Sequence, residues 1–304
     1  MFMTDIETQD VSLAMEAGQH DFEVEKHQLI TSNGVVIPDM VAVMKTGSDT
    51  YLGTVGSGYE LVQPKTIYEI GEELISSTGG KINRLFNLRG SRVIGISFEL
   101  AEKEYIPNDP TKMYFVMLLG FDGSCGIAGH ATTSRLSCLN QCNTSSKLYN
   151  LRHTKNVLNR IEVVKSMMTY YQNEIKVFDE KMTFMAGKSM NNQEAVDWFR
   201  SLFPVPKNER AQARLDNQTS NFIYCLSNGR GSDIPGVKGT AYGAFQALTE
   251  YINHHRSTRV HGDRDEDEVR FEAIHFGSGH VLSQAGLNKL TSSFTFNPDE
   301  FFIE

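Results

Sequence analysis

The sequence is short of the features that mark membrane proteins and disulfide-bonded proteins. Only 4 of its 304 residues are cysteine, too few for a disulfide framework in a chain of this length. No stretch comes near the roughly 18 consecutive apolar residues that a membrane span requires. The first residues, MFMTDIETQDVSLAMEAG, are acidic and lack the basic-then-apolar order of a signal peptide. We therefore expect a reducing, cytoplasmic compartment.

The common catalytic and cofactor motifs are also absent. The sequence has no P-loop, no HExxH pair, no dinucleotide fingerprint and no GxSxG nucleophile motif. Helix-turn-helix, zinc-finger and basic-zipper signatures are missing too, which disfavours sequence-specific reading of duplex DNA. The sequence therefore favours a binding protein over an enzyme, and it indicates no cofactor.

Acidic residues are missing from two long windows of an otherwise acidic chain. The chain carries 37 Asp and Glu against 29 Lys and Arg, a net charge of −8. Residues 123–161 contain no acid, although the average density predicts about five there, and residues 74–98 contain none either. Nine of the basic residues lie in these windows, which leaves 20 for the rest of the chain. This segregation favours an anionic ligand on one face. The alternative is that the windows are buried strands.

Aromatic rings alternate with basic residues in both windows. Single-stranded nucleic acid needs cations for its phosphates and rings for its bases. We therefore predict a nucleic-acid interface that contains no metal and no catalytic residue. The predicted contacts are Arg84, Phe86, Arg89 and Arg92 in the first window and Arg135, Lys147, Tyr149, Arg152, His153 and Lys155 in the second. Phe86 and Tyr149 are the rings expected to stack on bases.

The hydrophobic patterns predict an α+β fold, with an antiparallel sheet-rich N-terminal half packed against a helical C-terminal half. The apolar run at residues 113–119 predicts a buried strand, and Asp122-Gly123 after it predicts a hairpin turn. Residues 1–20 show no clear period and are expected to form a flexible tail. Residues 21–150 would then be the mostly β portion, and residues 151–304 the mostly helical portion, of one compact unit.

Local signals place several helices in the second half. Asn191 and Glu194 have the spacing of a capping box, and Thr240 is a further N-cap candidate. Residues 211–227 predict another helix. Residues 259–270 are charged and irregular, and we expect a flexible loop there.

The longest helical pattern begins at Val157. Its apolar residues recur at alternate steps of four and three, at Ile161, Val164, Met168, Tyr171, Ile175, Phe178, Met182 and Met185. This heptad seam predicts one continuous helix from Val157 to Met185. A helix of that length exceeds the usual globular length, so we expect a homo-oligomer formed through the seam. Packing of the seam on the chain's own domain is the alternative.

Cysteine and histidine residues allow a second functional hypothesis. Cys138 and Cys142, with His130 and His153, lack the paired spacing of a structural zinc site, so buried thiols are expected. Cys225 is likewise expected in the core. The alternative is an enzyme acting on a small molecule or nucleotide, with Cys138, His130, His153 and Arg152 gathered in a pocket.

Six short motifs follow one another between roughly residues 50 and 290. They are Gly53–Tyr59 with Val62-Gln63, Asp122-Gly-Ser124, Arg135-x-x-Cys138-x-Asn140, Arg152-His-Thr154, Gly239-Thr240 and Ala247-x-Thr249-Glu250-Tyr251-x-x-His254. Together they resemble the phage/plasmid-like family of unknown function (domain-of-unknown-function family 932, the YfjQ/YafZ family). Gln141 departs from the pattern, where threonine would follow the asparagine. The resemblance implies a phage, prophage or plasmid origin and residence in the bacterial host cytoplasm, and it supplies no reaction.

The order of elements is also similar to the core of phage single-strand annealing recombinases, where a β-hairpin, a polar stretch and a long helix follow one another. We therefore expect non-sequence-specific single-stranded DNA binding, extending to annealing, in phage or plasmid DNA metabolism. Two alternatives stay open. One is the enzyme described above, and the other is a phage protein that acts on a host defence or replication factor.

Overall fold

Strands dominate the chain up to Leu151 and helices dominate it from Val157 onward. The computed structural model describes residues 3–137, 140–143, 149–166, 168–260, 262 and 264–296. The predicted α+β class, with its sheet-rich N-terminal half and helical C-terminal half, is confirmed.

The described strands form two sheets built from antiparallel strand pairs. The strands are β1 (Met3–Thr8), β2 (Val24–Ile30), β3 (Val36–Lys45), β4 (Tyr51–Gly56), β5 (Lys81–Leu88), β6 (Val93–Glu104), β7 (Pro110–Gly120), β8 (Ile127–Arg135), β9 (Asn140–Asn143) and β10 (Tyr149–Leu151). The larger sheet has the order β1-β5-β6-β7-β8-β10, with β9 also paired to β8, and the smaller has the order β2-β3-β4.

The helices account for most of the remaining regular structure. They are α1 (Val11–Ala17), α2 (Lys65–Thr78), α3 (Val157–Ser166), α4 (Met168–Ala186), α5 (Asn192–Arg200), α6 (Glu209–Asn228), α7 (Ala241–Glu250), α8 (Glu266–His275) and α9 (Ser278–Ser293). A π-helical turn, Tyr251–His255, continues α7. The predicted capping box is present at the start of α5, where Asn191 and Glu194 bond reciprocally to backbone N–H groups.

The contacts divide the chain into two compact units that interleave along the sequence. Unit 1 is Met1–Ala101, Tyr114–Ala131 and Lys147–Gln172. Unit 2 is Glu102–Met113, Thr132–Ser146 and Asn173–Glu304. The division therefore differs from the single compact unit, with portions meeting near residue 150, that the sequence predicted. Strands β6, β7 and β8 each contribute residues to both units, so no single point along the chain separates them.

The first residues of unit 1 form regular structure in place of the flexible tail expected for residues 1–20. β1 pairs with β5, which places Asp5 opposite Arg84. The carboxylate of Asp10 accepts hydrogen bonds from two backbone N–H groups and so begins α1. The strand has 6 residues and the helix 7. Elements this short repeat too few times to show a hydrophobic period, which is why the sequence pattern missed them.

The heptad seam is packed as core. The predicted continuous helix is described as two segments, α3 and α4, on either side of residue 167. The seam side chains that the structure describes are mostly buried, namely Val157, Ile161 and Val164 of unit 1 and Phe178, Met182 and Met185 of unit 2. The side chains of Met168 and Tyr171 lie outside the described ones. Because the chain itself covers these residues, they are not an exposed surface for a second copy.

A buried ion pair holds unit 2 together at the end of β8. Nε of Arg135 donates to both carboxylate oxygens of Asp109 at 2.7 and 2.8 Å, and these residues are 3% and 0% exposed. The hydroxyl of Tyr242 donates to the same carboxylate at 2.8 Å. Burial and the charge of Asp109 raise the pKa of Tyr242, so this hydroxyl stays protonated and remains a donor. The two buried charges therefore neutralise each other inside unit 2.

We expect Asp109→Ala to lower the free energy of unfolding of unit 2 by about 3–5 kcal/mol, because it leaves Arg135 buried without a counter-charge. Trp198 is the only tryptophan in the sequence and is buried in the core of unit 2. Its fluorescence during urea unfolding therefore measures the loss. The control is Asp216→Ala, which breaks an exposed pair with Arg200 at 3.1 Å and should cost under about 1 kcal/mol. Equal losses would contradict the assigned role.

Candidate functional site

The structure buries four of the ten residues predicted to contact nucleic acid. Phe86 and Tyr149, the rings expected to stack on bases, are 2% and 8% exposed, so neither presents a face to a ligand. Arg135 is engaged with Asp109, and His153 is 6% exposed. These four assignments to an open interface are corrected accordingly. Their positions lie in or beside β5, β8 and β10, so part of each acid-free window consists of buried strand.

The more exposed predicted cations fall into two groups. Arg84 pairs with Asp5 at 2.6 Å, and Arg89 lies 3.4 Å from the carboxylate of Asp122. Both acids come from outside the acid-free windows. Arg92, Arg152 and Lys155 are exposed and have no carboxylate within ion-pair distance among the described residues. Lys147 lies outside the described residues. The predicted interface therefore shrinks to three open cations, all in unit 1.

An open cleft of about 830 Å³ in unit 1 brings three of the six sequence motifs together. It is lined by residues 54–56, 58 and 59 of the first motif, 122–124 of the second and 152–154 of the fourth, with Cys125 beside them. We call it the motif cleft. Gly53 makes this approach possible, because a Cβ there would lie 2.5 Å from Cα of Asp122. Gly123 takes the positive φ (76°) that the Asp-Gly turn predicted.

His153 is the buried polar group of the motif cleft. Its ring stacks on Tyr59 with centroids 4.3 Å apart, and Nδ1 lies 2.8 Å from the carbonyl oxygen of Glu60. Nδ1 must therefore carry the proton and donate it, which leaves Nε2 as the acceptor. Nε2 is buried and has no hydrogen-bond partner among the described residues. Burial lowers the pKa of His153, opposed by the bond to Glu60, so the ring is neutral near pH 7.

The residues proposed for an enzyme are only partly gathered. His153 and Arg152 both line the motif cleft. His130 is 1% exposed and is not among the lining residues, and Cys138 lies outside the described residues. The exposed charged group of the cleft among these residues is therefore the guanidinium of Arg152, beside the buried imidazole of His153. A guanidinium can bind an anion.

We expect unit 1 to lose stability as the pH falls below about 6.5, the ordinary pKa of histidine. The folded-state pKa of His153 is lowered by burial, and that of His20 is lowered to about 4 for the same reason. The unfolded state therefore binds more protons, so the stabilisation is complete above pH 6.5 and is lost as the pH falls through the folded-state values. Chemical denaturation followed by circular dichroism between pH 7 and pH 5 measures the effect.

His153→Gln should make this pH dependence shallower without abolishing it, since His20 still contributes. His27→Gln, which changes an exposed histidine of β2, is the matched control. An unaltered pH dependence in His153→Gln would show that the imidazole is not held neutral by burial.

Unit 2 contains a second open cleft, of about 870 Å³, that sequence reasoning missed. Five arginines line it, namely Arg210, Arg214, Arg256, Arg259 and Arg270. We call it the arginine cleft. Arg270 donates to Glu266 at 2.9 Å. The other four have no carboxylate within ion-pair distance in the described part of the chain. This local excess of positive charge favours an anionic ligand.

One wall of the arginine cleft is a face of α6. Arg210, Arg214, Asn217 and Asn221 follow one another at steps of four, three and four, so they share that face. The next step of three reaches Tyr224, which is 52% exposed and meets the ring of His255 edge-on at 5.6 Å. The spacing of these residues on the predicted helix was the available signal. A charge count along the sequence hides it, because Glu209 and Asp216 lie in the same segment.

The buried thiols of unit 2 agree with the expectation for Cys142 and Cys225. Burial raises the pKa of each to about 12, with Glu250 adding to the effect at Cys225. Cys225 lies beside Glu250 and His255, and their potential ligand atoms are all within 4.8 Å of one another. Within the described residues, this is the one group of three such side chains with metal-binding spacing.

Residues 51–275 match the family described as a domain of unknown function (DUF932). The match covers most of the chain, so the chain belongs to this family, as the motifs predicted. No curated protein and no solved structure shows a significant match. None of the helices in the described part of the chain combines the length and the apolar character needed to cross a membrane.

Proposed function

We propose that this protein binds single-stranded nucleic acid, without sequence preference, through the arginine cleft. The observation that carries the proposal is the set of four arginines that line one cleft of an acidic chain without carboxylate partners among the described residues. Each cation that meets a phosphate releases a condensed counterion, which drives binding independently of the base sequence. The acidic remainder of the surface repels the phosphates, so nucleic acid is not expected to bind outside the arginine cleft.

Groups that suit bases lie beside these cations. Tyr224 is an exposed residue whose ring lies next to the imidazole of His255, and stacking of a base on such a ring contributes about 1–3 kcal/mol. The amides of Asn217 and Asn221 line the same wall and can exchange hydrogen bonds with bases or sugars. Cations, a ring and amides on one face are the combination that single strands require. No sequence-reading element is needed for this mode of binding.

Replacing Arg210 and Arg214 together by glutamine should weaken binding to a long single-stranded oligonucleotide. It should also lower the slope of log affinity against log salt concentration by about 1.4, since each phosphate contact adds about 0.7 on single strands. Fluorescence anisotropy at several salt concentrations measures both quantities. Arg84→Gln with Arg89→Gln is the matched control, because it removes the same charge from residues that are paired with Asp5 and Asp122.

The outcomes separate the possible surfaces. An unchanged slope in the Arg210/Arg214 variant, or no binding by the unaltered protein at 50 mM salt, would contradict the proposal. A larger effect from the Arg84/Arg89 control would return the interface to the acid-free windows. If Arg152→Gln alone abolished binding, and a mononucleotide competed fully, the motif cleft would be the site. The protein would then fit the alternative of a nucleotide-binding or nucleotide-processing protein.

The biological setting of this activity is part of the proposal. We place it in phage or plasmid DNA metabolism in the bacterial host cytoplasm, as the motif resemblance implies, with annealing as an extension of binding. A phage protein that acts on a host defence or replication factor is the remaining alternative. Capture of one host protein after nuclease treatment, without affinity for oligonucleotides, would favour that alternative.

Homo-oligomer formation is also proposed, although the buried residues of the described heptad seam cannot supply the contact. Exposed apolar residues instead cluster around the β2–β3 hairpin, at Ile30, Val35, Val36 and Ile37. We expect light scattering at tens of micromolar to show a dimer or a larger species, and Ile30→Glu with Val36→Glu to return it to the monomer without unfolding. Leu13→Glu, at another exposed apolar residue, is the control. A monomer before any substitution would remove oligomerisation from the proposal.

A further inference from the structure

The π-helical turn after α7 changes which side chains share a face of the helix. The N–H of Arg256 donates to the carbonyl oxygen of Tyr251, five residues back, at 2.7 Å. In an α-helix, residues five apart point about 140° away from each other. The wider turn brings such residues towards the same side, so Glu250 and His255 come together. Turns of this kind are rare and are frequently found at functional sites.

Helix α6 contributes a third potential ligand at this position. The Sγ atom of Cys225, a carboxylate oxygen of Glu250 and a ring nitrogen of His255 all lie within 4.8 Å of one another. In a tetrahedral zinc centre, with bonds of about 2.0–2.3 Å, ligand atoms lie about 3.3–3.8 Å apart. The bound of 4.8 Å exceeds this spacing by about 1 Å, a difference on the scale of a change in side-chain torsion.

The carboxylate of Glu250 is buried without a counter-charge among the described residues, and a bound cation would stabilise it. Glu250 is 6% exposed, and its Oε1 accepts a hydrogen bond from the backbone N–H of Arg230 at 3.2 Å. In the described part of the chain, no basic side chain is within ion-pair distance of it. A buried carboxylate without a counter-charge is unfavourable. Gly229 keeps the space around it open, since a Cβ there would lie 2.4 Å from Oε2.

We propose that Cys225, Glu250 and His255 form a divalent metal site of unit 2, with Zn²⁺ as the preferred ion. A thiolate, an imidazole and a carboxylate are the three kinds of zinc ligand found in proteins, and magnesium or calcium would disfavour the sulfur. Binding replaces the thiol proton of Cys225, which leaves to solvent, with a Zn–S bond. The bond from Arg230 fixes the carboxylate in the manner of an outer-shell partner.

Three protein ligands leave the fourth position of a tetrahedral ion open to water or to a ligand atom. His255 and Tyr251 also line the arginine cleft. The metal would therefore lie at the edge of that cleft, where an oxygen of a bound anion can reach it. The site itself is independent of the proposed nucleic-acid binding.

The test is metal binding by the full-length protein. After removal of metals, the unaltered chain should take up one equivalent of Zn²⁺ in competition with a chromophoric chelator. One equivalent of Co²⁺ should give the near-ultraviolet charge-transfer band of a cobalt–thiolate bond. Cys225→Ser should abolish that band, and His255→Gln should weaken zinc binding more than about 100-fold, beyond the effect of losing an outer-shell partner. Trp198 fluorescence checks that each variant remains folded.

Two matched controls accompany these variants. Cys142→Ser changes the other described buried thiol of unit 2, and His254→Gln changes the histidine next to the proposed ligand. Both should bind Zn²⁺ and Co²⁺ as the unaltered chain does. The proposal is overturned if the unaltered chain takes up no stoichiometric Zn²⁺ and gives no thiolate band. It is equally overturned if Cys225→Ser and His255→Gln retain the unaltered affinity, or if the thiolate band follows Cys142.

Discussion

The buried ion pair between Asp109 and Arg135 is the interaction on which the candidate metal site depends. While Nε of Arg135 is held by the carboxylate, its two terminal nitrogens donate to the carbonyl oxygens of Arg230 and Gly231 at 3.2 and 2.9 Å. Gly231 permits this approach, because a Cβ there would lie 2.9 Å from the guanidinium. The same segment presents the N–H of Arg230 to Glu250. Arg135 thus positions the backbone segment that bonds to Glu250.

The parts of the fold that the sequence predicted are those encoded by neighbouring residues. The apolar run at residues 113–119 lies within β7, the Asp-Gly turn follows it, and the capping box begins α5. Thr240 caps α7 by accepting from the N–H of Gly243. A turn or a cap is decided within a few residues, so its signal survives without knowledge of the tertiary structure. Most of these elements were therefore predictable.

The candidate sites were not predictable, because their partners are distant in sequence. A count along the chain shows no acid near Arg84, yet the register of β1 against β5 places Asp5 opposite it. The same count showed Arg135 as an open cation, although Asp109 lies 26 residues before it. The arginine cleft was missed for the opposite reason. Its cations lie in two segments that also contain acids, so a charge count along the chain shows no excess of positive charge there. A heptad pattern likewise indicates a buried face without indicating which surface covers it.

The π-helical turn departs from regular α-helical geometry, and this departure sets the direction of the His255 side chain. It accommodates one more residue than an α-helix of the same length would, so a single deletion there would restore an unbroken α-helix. That deletion would rotate every later side chain of the helix by about 100° relative to α7. His255, the last residue of the turn, would then point away from Glu250. In this segment, a shorter and more regular chain would lose the approach of His255 to Cys225 and Glu250.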